Sequence, residues 1–173
     1  MKHLTKRGYT FWYRRRMKHK GEIDNPTEKI EQLQSIRFES SVLAEVQNEL
    51  GLRISETFEI VKNLDAHYNE ANGTIENLTG KGNHIYEPKM ISSELVEKIK
   101  ACENVPCQNT YRDDLKEVGV DNSHQWRYTY AKAEFEKKME EGIEYRQALR
   151  EVSEGLNHSL ERESMTLYYL NKS

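Results

Sequence analysis

The chain has 173 residues, of which 36% are hydrophobic and 32% are charged, and its formal net charge is −3. This length suits one domain with a short extension, and no apolar run approaches the roughly 20 residues that a transmembrane helix needs. The composition therefore argues against a membrane-spanning protein and favours a helix-rich protein of the cytoplasm.

The positive charge is concentrated at the start of the chain. Residues 1–20 contain eight Lys or Arg and no acidic residue, whereas the remainder has 18 basic and 29 acidic residues. Aromatic and polar residues alternate through Tyr9 and Tyr13, and Arg14, Arg15 and Arg16 follow. This N-terminal segment suits either a β-ribbon that contacts a phosphate backbone or a solvated tail. Residues 21–26 are predicted to be a linker, so the expected division is 1–26 and 27–173.

The middle of the chain predicts helices around a hairpin. Apolar residues recur at helical spacing from Thr27 to Leu50, which predicts one core-forming helix closed by Gly51. Residues 74–88 predict a β-hairpin with Lys81 at its Gly-flanked tip. Ser92 has the character of a helix N-cap, and a further short helix is expected from Asn109 to Val118.

The last part of the chain predicts more helix. Cap residues at 121–123 precede a helix to about Glu141, with Gly142 as its stop, and another helix follows until Gly155. A last short helix is expected around residues 165–170. The predicted fold class is mainly α with a small antiparallel β-sheet.

Several side chains of this pattern suit phosphate chemistry. His124 and Arg127 share a helix face at i and i+3, in a first turn whose N–H groups also favour an anion. The Arg fork matches phosphate oxygens, and histidine titrates near neutrality. Arg53 follows the first helix, with Glu56 three residues later. Taken singly, Arg53 could be a surface residue paired with Glu56 and Lys81 a solvated turn lysine.

Taken together, the residues Gly51-Leu52-Arg53, Thr79-Gly80-Lys81-Gly82-Asn83, His124-Gln125-Trp126-Arg127, Leu156-Asn157-His158 and the tyrosines near residue 169 form an ordered series. From about Glu28 to Leu170 this series resembles the catalytic domain of the tyrosine recombinases, the phage and mobile-element integrases.

The resemblance implies a reaction and a role for each residue. Tyr169 attacks a DNA phosphodiester to form a 3′-phosphotyrosine link, which a 5′ hydroxyl of another strand later attacks. The implied catalytic set, in which the arginines and His158 hold the phosphate, Lys81 protonates the leaving 5′ oxygen and His124 assists proton transfer, is Arg53, Lys81, His124, Arg127, His158 and Tyr169. Glu56 is expected to support Arg53. Neither a metal nor another cofactor is implied.

The resemblance also favours DNA contact by the N-terminal segment, because several integrases begin with a similar aromatic and basic stretch. The expected DNA-binding residues are Lys6, Arg7, Arg14, Arg15 and Arg16. The expected partners are double-stranded DNA, further copies of the chain on that DNA, and an accessory protein. Nucleoid association follows as an expectation.

Three departures from the family pattern keep a second function open. Asn157 stands where glycine is usual, the interval from His158 to Tyr169 is about two residues longer than is common, and no stretch of about 80 residues corresponds to the helical core-binding domain. The alternative function is a catalytically inactive, integrase-derived DNA-binding or regulatory protein. The longer interval also leaves Tyr168 as an alternative nucleophile.

The two cysteines, Cys102 and Cys107, are too few for a structural zinc site, which usually takes four Cys or His ligands. They are expected to be reduced and unpaired.

Overall fold

A computed structural model describes residues 21–157. In this range the chain is mainly helical with a small three-stranded antiparallel sheet, which confirms the predicted fold class at this level. The predicted helix near residues 165–170 and the N-terminal segment lie outside the described residues. The elements in chain order are α1 (Pro26–Ile36), α2 (Phe38–Leu50), α3 (Ile54–Lys62), α4 (Leu64–His67), β1 (Tyr68–Asn69), β2 (Thr74–Ile75), β3 (Lys89–Met90), α5 (Ser93–Lys100), α6 (Gln108–Glu117), α7 (His124–Glu140) and α8 (Tyr145–Gly155).

The prediction of one helix from Thr27 to Leu50 is wrong, because the helix is interrupted at Arg37, between α1 and α2. This residue has extended backbone angles, φ −159° and ψ 121°. Its guanidinium Nε lies 3.0 Å from Oδ2 of Asp114 on α6, and the hydroxyl of Ser40 donates to the same oxygen over 2.6 Å. Asp114 is buried, so the bend at Arg37 brings two donors to a carboxylate that needs them. Apolar periodicity continues through the bend and therefore did not reveal it.

The other helix boundaries follow local signals. The hydroxyl of Ser92 accepts a hydrogen bond from the backbone N–H of Leu95, as expected of an N-cap. Gly142, which follows α7, has φ +79°, the left-handed conformation that commonly ends a helix. The helix expected from Asn109 begins at Gln108 instead, after Cys107.

The segment predicted as a linker packs against α7. Ile23 is buried, and its backbone N–H donates to the hydroxyl of Thr129 over 2.8 Å. Next to it, Lys132 pairs with Glu22 over 2.7 Å. The first helix then begins at Pro26, a residue whose fixed φ suits a helix start.

The predicted hairpin is present and spans residues 74–90. Strand β2 pairs antiparallel with both β1 and β3, with Ile75 opposite Lys89. The same register reaches the far end of the hairpin, where Thr79 forms a bridge with Ile85 and Gly80 N–H donates to the carbonyl of His84. Residues 81–83 therefore form the tip, and Lys81 and Lys89 lie at opposite ends of the hairpin.

The main core forms where α2, α3, α5 and α6 meet, with Trp126 of α7 fully buried in it. A smaller apolar cluster joins α7 to α8 through Tyr128, Ala131, Val152 and Leu156. Within the described range, no helix is both long enough and apolar enough to cross a bilayer.

Gly51 lies at the junction of these two clusters, and its lack of a side chain matters twice. Its φ of +65° is a conformation that residues with a Cβ rarely adopt. A Cβ built there would also lie 2.3 Å from Cδ1 and 2.7 Å from Cγ of the Tyr130 ring. Because Cγ is close to the Tyr130 backbone, the ring could not avoid this contact by a small rotation.

We expect Gly51→Ala to lower the free energy of unfolding by about 3 kcal/mol, the sum of backbone strain and overpacking. Gly73→Ala is the matched control, because Gly73 has φ +64° but no neighbouring atom within 4 Å of an added Cβ. That variant should lose only about 1 kcal/mol. Urea unfolding followed by circular dichroism measures both, and equal losses in the two variants would contradict the role of the Tyr130 ring.

Candidate functional site

Arg53, the first predicted arginine, is held by Glu56. The Glu56 carboxylate accepts a hydrogen bond from the Arg53 guanidinium over 2.8 Å and another from the Arg53 backbone N–H over 2.7 Å, so the Glu56 side chain reaches back to the residue that precedes α3. The Arg53 side chain is 25% exposed and that of Glu56 only 5%. The contact expected from the sequence is therefore present, and it turns Glu56 inwards while part of the Arg53 side chain remains at the surface.

Tyr86, on the second half of the hairpin after the tip, also contacts Arg53 and Glu56. Its hydroxyl donates to Glu56 over 2.7 Å, and the Arg53 guanidinium donates to the Tyr86 oxygen over 3.3 Å. Burial raises the pKa of Tyr86 to about 12, and the charge of Glu56 adds to this rise, while Arg127 and Arg53 both oppose it. The neutral phenol is therefore the form that donates to Glu56.

Arg127 is fully buried at 0% exposure, and its guanidinium joins two distant parts of the chain. One terminal nitrogen donates to the carbonyl of Gly51, and the other donates to the carbonyl of Leu156 over 2.8 Å. A guanidinium has five N–H donors, and these two carbonyls take two of them. The bond to Gly51 places the Arg127 guanidinium near the segment that carries Arg53, and the positive charges of both arginines oppose the rise in the pKa of Tyr86. We call Arg53, Glu56, Tyr86 and Arg127 the arginine centre.

A buried glutamine, Gln47, also positions two of the predicted segments. The side-chain amide of Gln47, itself accepting the hydroxyl of Tyr111, donates to the carbonyls of Leu52 and Ser123. These two carbonyls immediately precede Arg53 and His124 in the chain. A buried amide therefore holds the start of α3 beside the start of α7.

His124 occupies the first turn of α7, as predicted. Its backbone N–H donates to the side chain of Asn122, two residues earlier, and its ring packs edge-on against Tyr128 with 5.4 Å between ring centroids. The imidazole is half-buried. It lies one helical turn before Arg127, with the positive end of the helix dipole beside it.

The hairpin tip meets the end of α8. The Asn157 side-chain amide donates to the carbonyl of His84 over 3.1 Å. A Cβ at Gly80 would lie 2.6 Å from the same amide nitrogen and 3.1 Å from a Glu56 oxygen, so a side chain there would displace the Asn157 amide. The residue after Gly80, Lys81, is exposed at the tip. Asn157 has φ +52°, in the left-handed region where asparagine is among the most tolerant residues after glycine.

Two predicted catalytic residues, His158 and Tyr169, lie outside the described residues, as do Tyr168 and the basic residues Lys6, Arg7, Arg14, Arg15 and Arg16. Of the predicted set, the structure therefore brings Arg53, Glu56 and Arg127 together, with the hairpin that carries Lys81 packed beside them. Within residues 21–157, no group of three or more His, Cys, Asp or Glu side chains is arranged to hold a metal ion.

The sequence interpretation missed three residues of this region, namely Tyr86, Lys89 and Tyr130. Lys89 lies at the base of the hairpin, with its ammonium 5.0 Å from the centroid of the Tyr130 ring and 5.7 Å from that of Tyr86. Burial, aided by the charge of Arg127, lowers the pKa of Lys89 to about 8. The predicted hairpin was the one sequence feature that could have indicated Lys89, because extending its strand pairing places Lys89 opposite Ile75. No local pattern linked Lys89 to the two tyrosines.

Comparison with known proteins adds no assignment, because neither a protein-family model nor a curated protein sequence matches the chain.

The lowered pKa of Lys89 predicts that the free energy of unfolding depends on pH. Folding lowers this pKa from about 10.5 to about 8, so the native state disfavours the proton that the unfolded chain keeps. The stability contributed by Lys89 is therefore lowest below pH 8 and is recovered as the pH rises from 8 to 10.5. Relative to Lys89→Met, the unmodified protein should gain about 2 kcal/mol between pH 7 and pH 10.

Urea unfolding of both proteins at several pH values measures this difference. Lys62→Met is the matched control, since Lys62 is exposed and also lies over an aromatic ring, 5.6 Å from the centroid of Phe58. A stability difference between Lys89→Met and the unmodified protein that stays constant with pH would contradict the lowered pKa of Lys89.

Proposed function

We propose that this chain is a site-specific tyrosine recombinase of the integrase type, which cleaves and rejoins DNA strands through a 3′-phosphotyrosine intermediate. The observation that carries the proposal is the arginine centre. Arg53 and Arg127 are about half of the domain apart in sequence, yet the fold brings them near each other. Arg53 donates to the hydroxyl oxygen of Tyr86, and Arg127 donates to the carbonyl of Gly51, two residues before Arg53. Two guanidinium groups on one side of a fold suit a phosphodiester, whose non-bridging oxygens must be neutralised during attack.

The supports around the arginines favour a site that is organised before substrate binds. Glu56 holds Arg53 through two hydrogen bonds, and Tyr86 braces the same carboxylate. Such preorganisation reduces the rearrangement that phosphate binding requires, which is how electrostatic stabilisation of a transition state becomes effective. In this proposal Glu56 and Tyr86 are positioning residues, and the partly exposed guanidinium of Arg53 contacts the phosphate. The buried guanidinium of Arg127 adds its positive charge to the site while it holds two backbone carbonyls.

The hairpin supports the proposed role of Lys81. Gly80 packs against Asn157 and Glu56, so the tip begins at the arginine centre and Lys81 extends from it. In the proposed reaction the Lys81 ammonium gives its proton to the departing 5′ oxygen as the phosphorus–oxygen bond breaks. His124, one turn before Arg127, assists proton transfer at the tyrosine.

Asn157 accounts for one departure from the family pattern. Its backbone is left-handed, so an asparagine replaces the usual glycine without a change of conformation. Its amide also binds the hairpin, a contact that glycine could not make. The chain then continues into the segment that carries His158 and Tyr169, the proposed phosphate ligand and nucleophile.

The proposal includes the partners that the reaction needs. Double-stranded DNA is the substrate, and strand exchange requires several copies of the chain on that DNA. An accessory protein would provide the DNA contacts that a core-binding domain makes in the family. No metal or other cofactor has a role in this chemistry, and association with the nucleoid follows from the substrate.

One observation favours the second candidate, a non-catalytic DNA-binding or regulatory protein. The Arg127 guanidinium is buried and donates to two backbone carbonyls, which is also what a purely structural arginine would do. A chain that kept the fold but lost strand cleavage would retain these two bonds. The two functions differ in whether a covalent DNA complex forms.

A nicked suicide DNA that carries the cognate site, with any required partner protein present, tests catalysis. We expect the unmodified chain to form a covalent complex that survives denaturing electrophoresis. Tyr169→Phe should abolish this complex, because the phenol oxygen that attacks phosphorus is absent. Tyr168→Phe is the matched control and should retain it.

The other outcomes are equally informative. Loss of the complex in Tyr168→Phe but not in Tyr169→Phe would move the nucleophile by one residue. Absence of any covalent complex from the unmodified chain, while DNA binding remains, would reject the recombinase and favour the non-catalytic protein.

Deletion of residues 1–20 tests the proposed DNA contacts of Lys6, Arg7, Arg14, Arg15 and Arg16. Each phosphate contact that is lost should lower the slope of log affinity against log salt by about 0.9. We expect weaker binding and a slope smaller by about 3–5, measured by fluorescence anisotropy on duplex DNA over a range of salt concentrations. An unchanged slope would show that these residues do not contact phosphates.

A further inference from the structure

A cavity of about 360 Å³ lies where the base of the hairpin meets α7 and α8. Its walls include Tyr86, Pro88 and Lys89 from the hairpin, Tyr130 from α7 and Gly155 from α8. This volume falls within the range of small-molecule sites, about 300–1,000 Å³. The cavity shares Tyr86 with the arginine centre, but neither Arg127 nor the hairpin tip lines it.

Lys89 brings an amine to the wall of this cavity. The Lys89 ammonium is 5.0 Å from the centre of the Tyr130 ring and can donate to the Tyr130 hydroxyl over 3.4 Å. The ring of Tyr86 lies 5.7 Å away. Gly155 leaves room here, since a Cβ on it would lie 3.3 Å from the Tyr130 hydroxyl and 4.0 Å from the Lys89 nitrogen. The amine is therefore held in place by its neighbours and is only half-buried.

The charges around Lys89 favour its neutral form at lower pH than is usual for lysine. Burial is the main cause, and the positive charge of Arg127 acts in the same direction. Glu134 and Glu56 oppose them, which leaves a pKa of about 8. The phenols of Tyr86 and Tyr130 remain neutral in this range, because burial raises the pKa of each.

The remaining ionisable groups of the cavity wall are Glu49, Glu87, Lys137, Lys138, Glu151 and Glu154. Two of these carboxylates already have partners within the fold. Lys138 pairs with Glu151 over 2.6 Å, and Glu49 accepts both the backbone N–H and the hydroxyl of Ser92. The negative wall disfavours anionic ligands, so a small uncharged molecule is the better occupant.

We propose that Lys89 is a reactive amine and a site of covalent modification by small, uncharged acyl electrophiles that enter this cavity. The neutral amine attacks the acyl carbon, a C–N bond forms, and the bond from that carbon to the leaving group breaks. The leaving group departs with the electron pair, and the proton lost from nitrogen passes to water. The product is an amide on a residue that no longer carries a positive charge.

Competitive labelling of the folded full chain with trace acetic anhydride tests this inference, with acetate as the leaving group. Peptide mass spectrometry measures the labelling rate of each lysine between pH 6 and pH 11. At pH 7 a lysine of pKa about 8 is neutral in about 9% of molecules, against about 0.03% for a lysine of pKa 10.5. Burial and the weaker nucleophilicity of a less basic amine offset part of this advantage. We expect Lys89 to react about tenfold faster than the exposed Lys116 at pH 7, with a half-maximum near pH 8.

Glu134→Gln is the companion variant, because the Glu134 charge supports the protonated form of Lys89. It should move the half-maximum for Lys89 to lower pH and leave that for Lys116 in place. The inference is overturned if Lys89 titrates together with Lys116, if it is not labelled at any pH, or if Glu134→Gln leaves its half-maximum unchanged. The experiment contains no DNA, so its result is independent of the proposed recombinase activity.

Discussion

The bonds from Arg127 to the carbonyls of Gly51 and Leu156 are the constraint on which the functional region depends. They draw the turn before Arg53 and the last turn of α8 onto α7. Burying a guanidinium is costly unless hydrogen bonds compensate, and two carbonyl acceptors supply part of that compensation. Removing the side chain would leave both carbonyls buried without these donors, each at a cost of about 1–3 kcal/mol. Any phosphate-binding role of Arg127 therefore coexists with a structural one.

Glycine provides the second constraint, at the two positions where segments meet most closely. Gly51 has a left-handed backbone and packs against the Tyr130 ring, and Gly80 lies against Asn157 and Glu56. At both positions a side chain would separate parts of the arginine centre from their supports. The close packing that these glycines allow explains how a small domain brings a helix end, a hairpin tip and a helix start to one point.

Local signals in the sequence predicted local structure well. The cap at Ser92, the stop at Gly142, the hairpin and the pairing of Glu56 with Arg53 all depend on residues a few positions apart, so their patterns were visible in the chain. The bend at Arg37 was missed because its cause, Asp114, lies on another helix. Tyr86, Lys89 and Tyr130 were missed for the same reason. Their contacts join the hairpin to α3 and to α7, and no spacing in the sequence reports such a contact.

The arginine centre is assembled from residues far apart in the chain, as the hydrogen bond from Tyr86 to Glu56 illustrates. In the unfolded chain these groups are dispersed, so a ligand that needs all of them can bind only the folded state. Binding and folding are then thermodynamically linked, and a ligand at one hundred times its dissociation constant would raise the apparent stability by about 2.7 kcal/mol. Thermal melting in the presence of candidate ligands can therefore screen for what the centre recognises, even before any target DNA sequence has been identified.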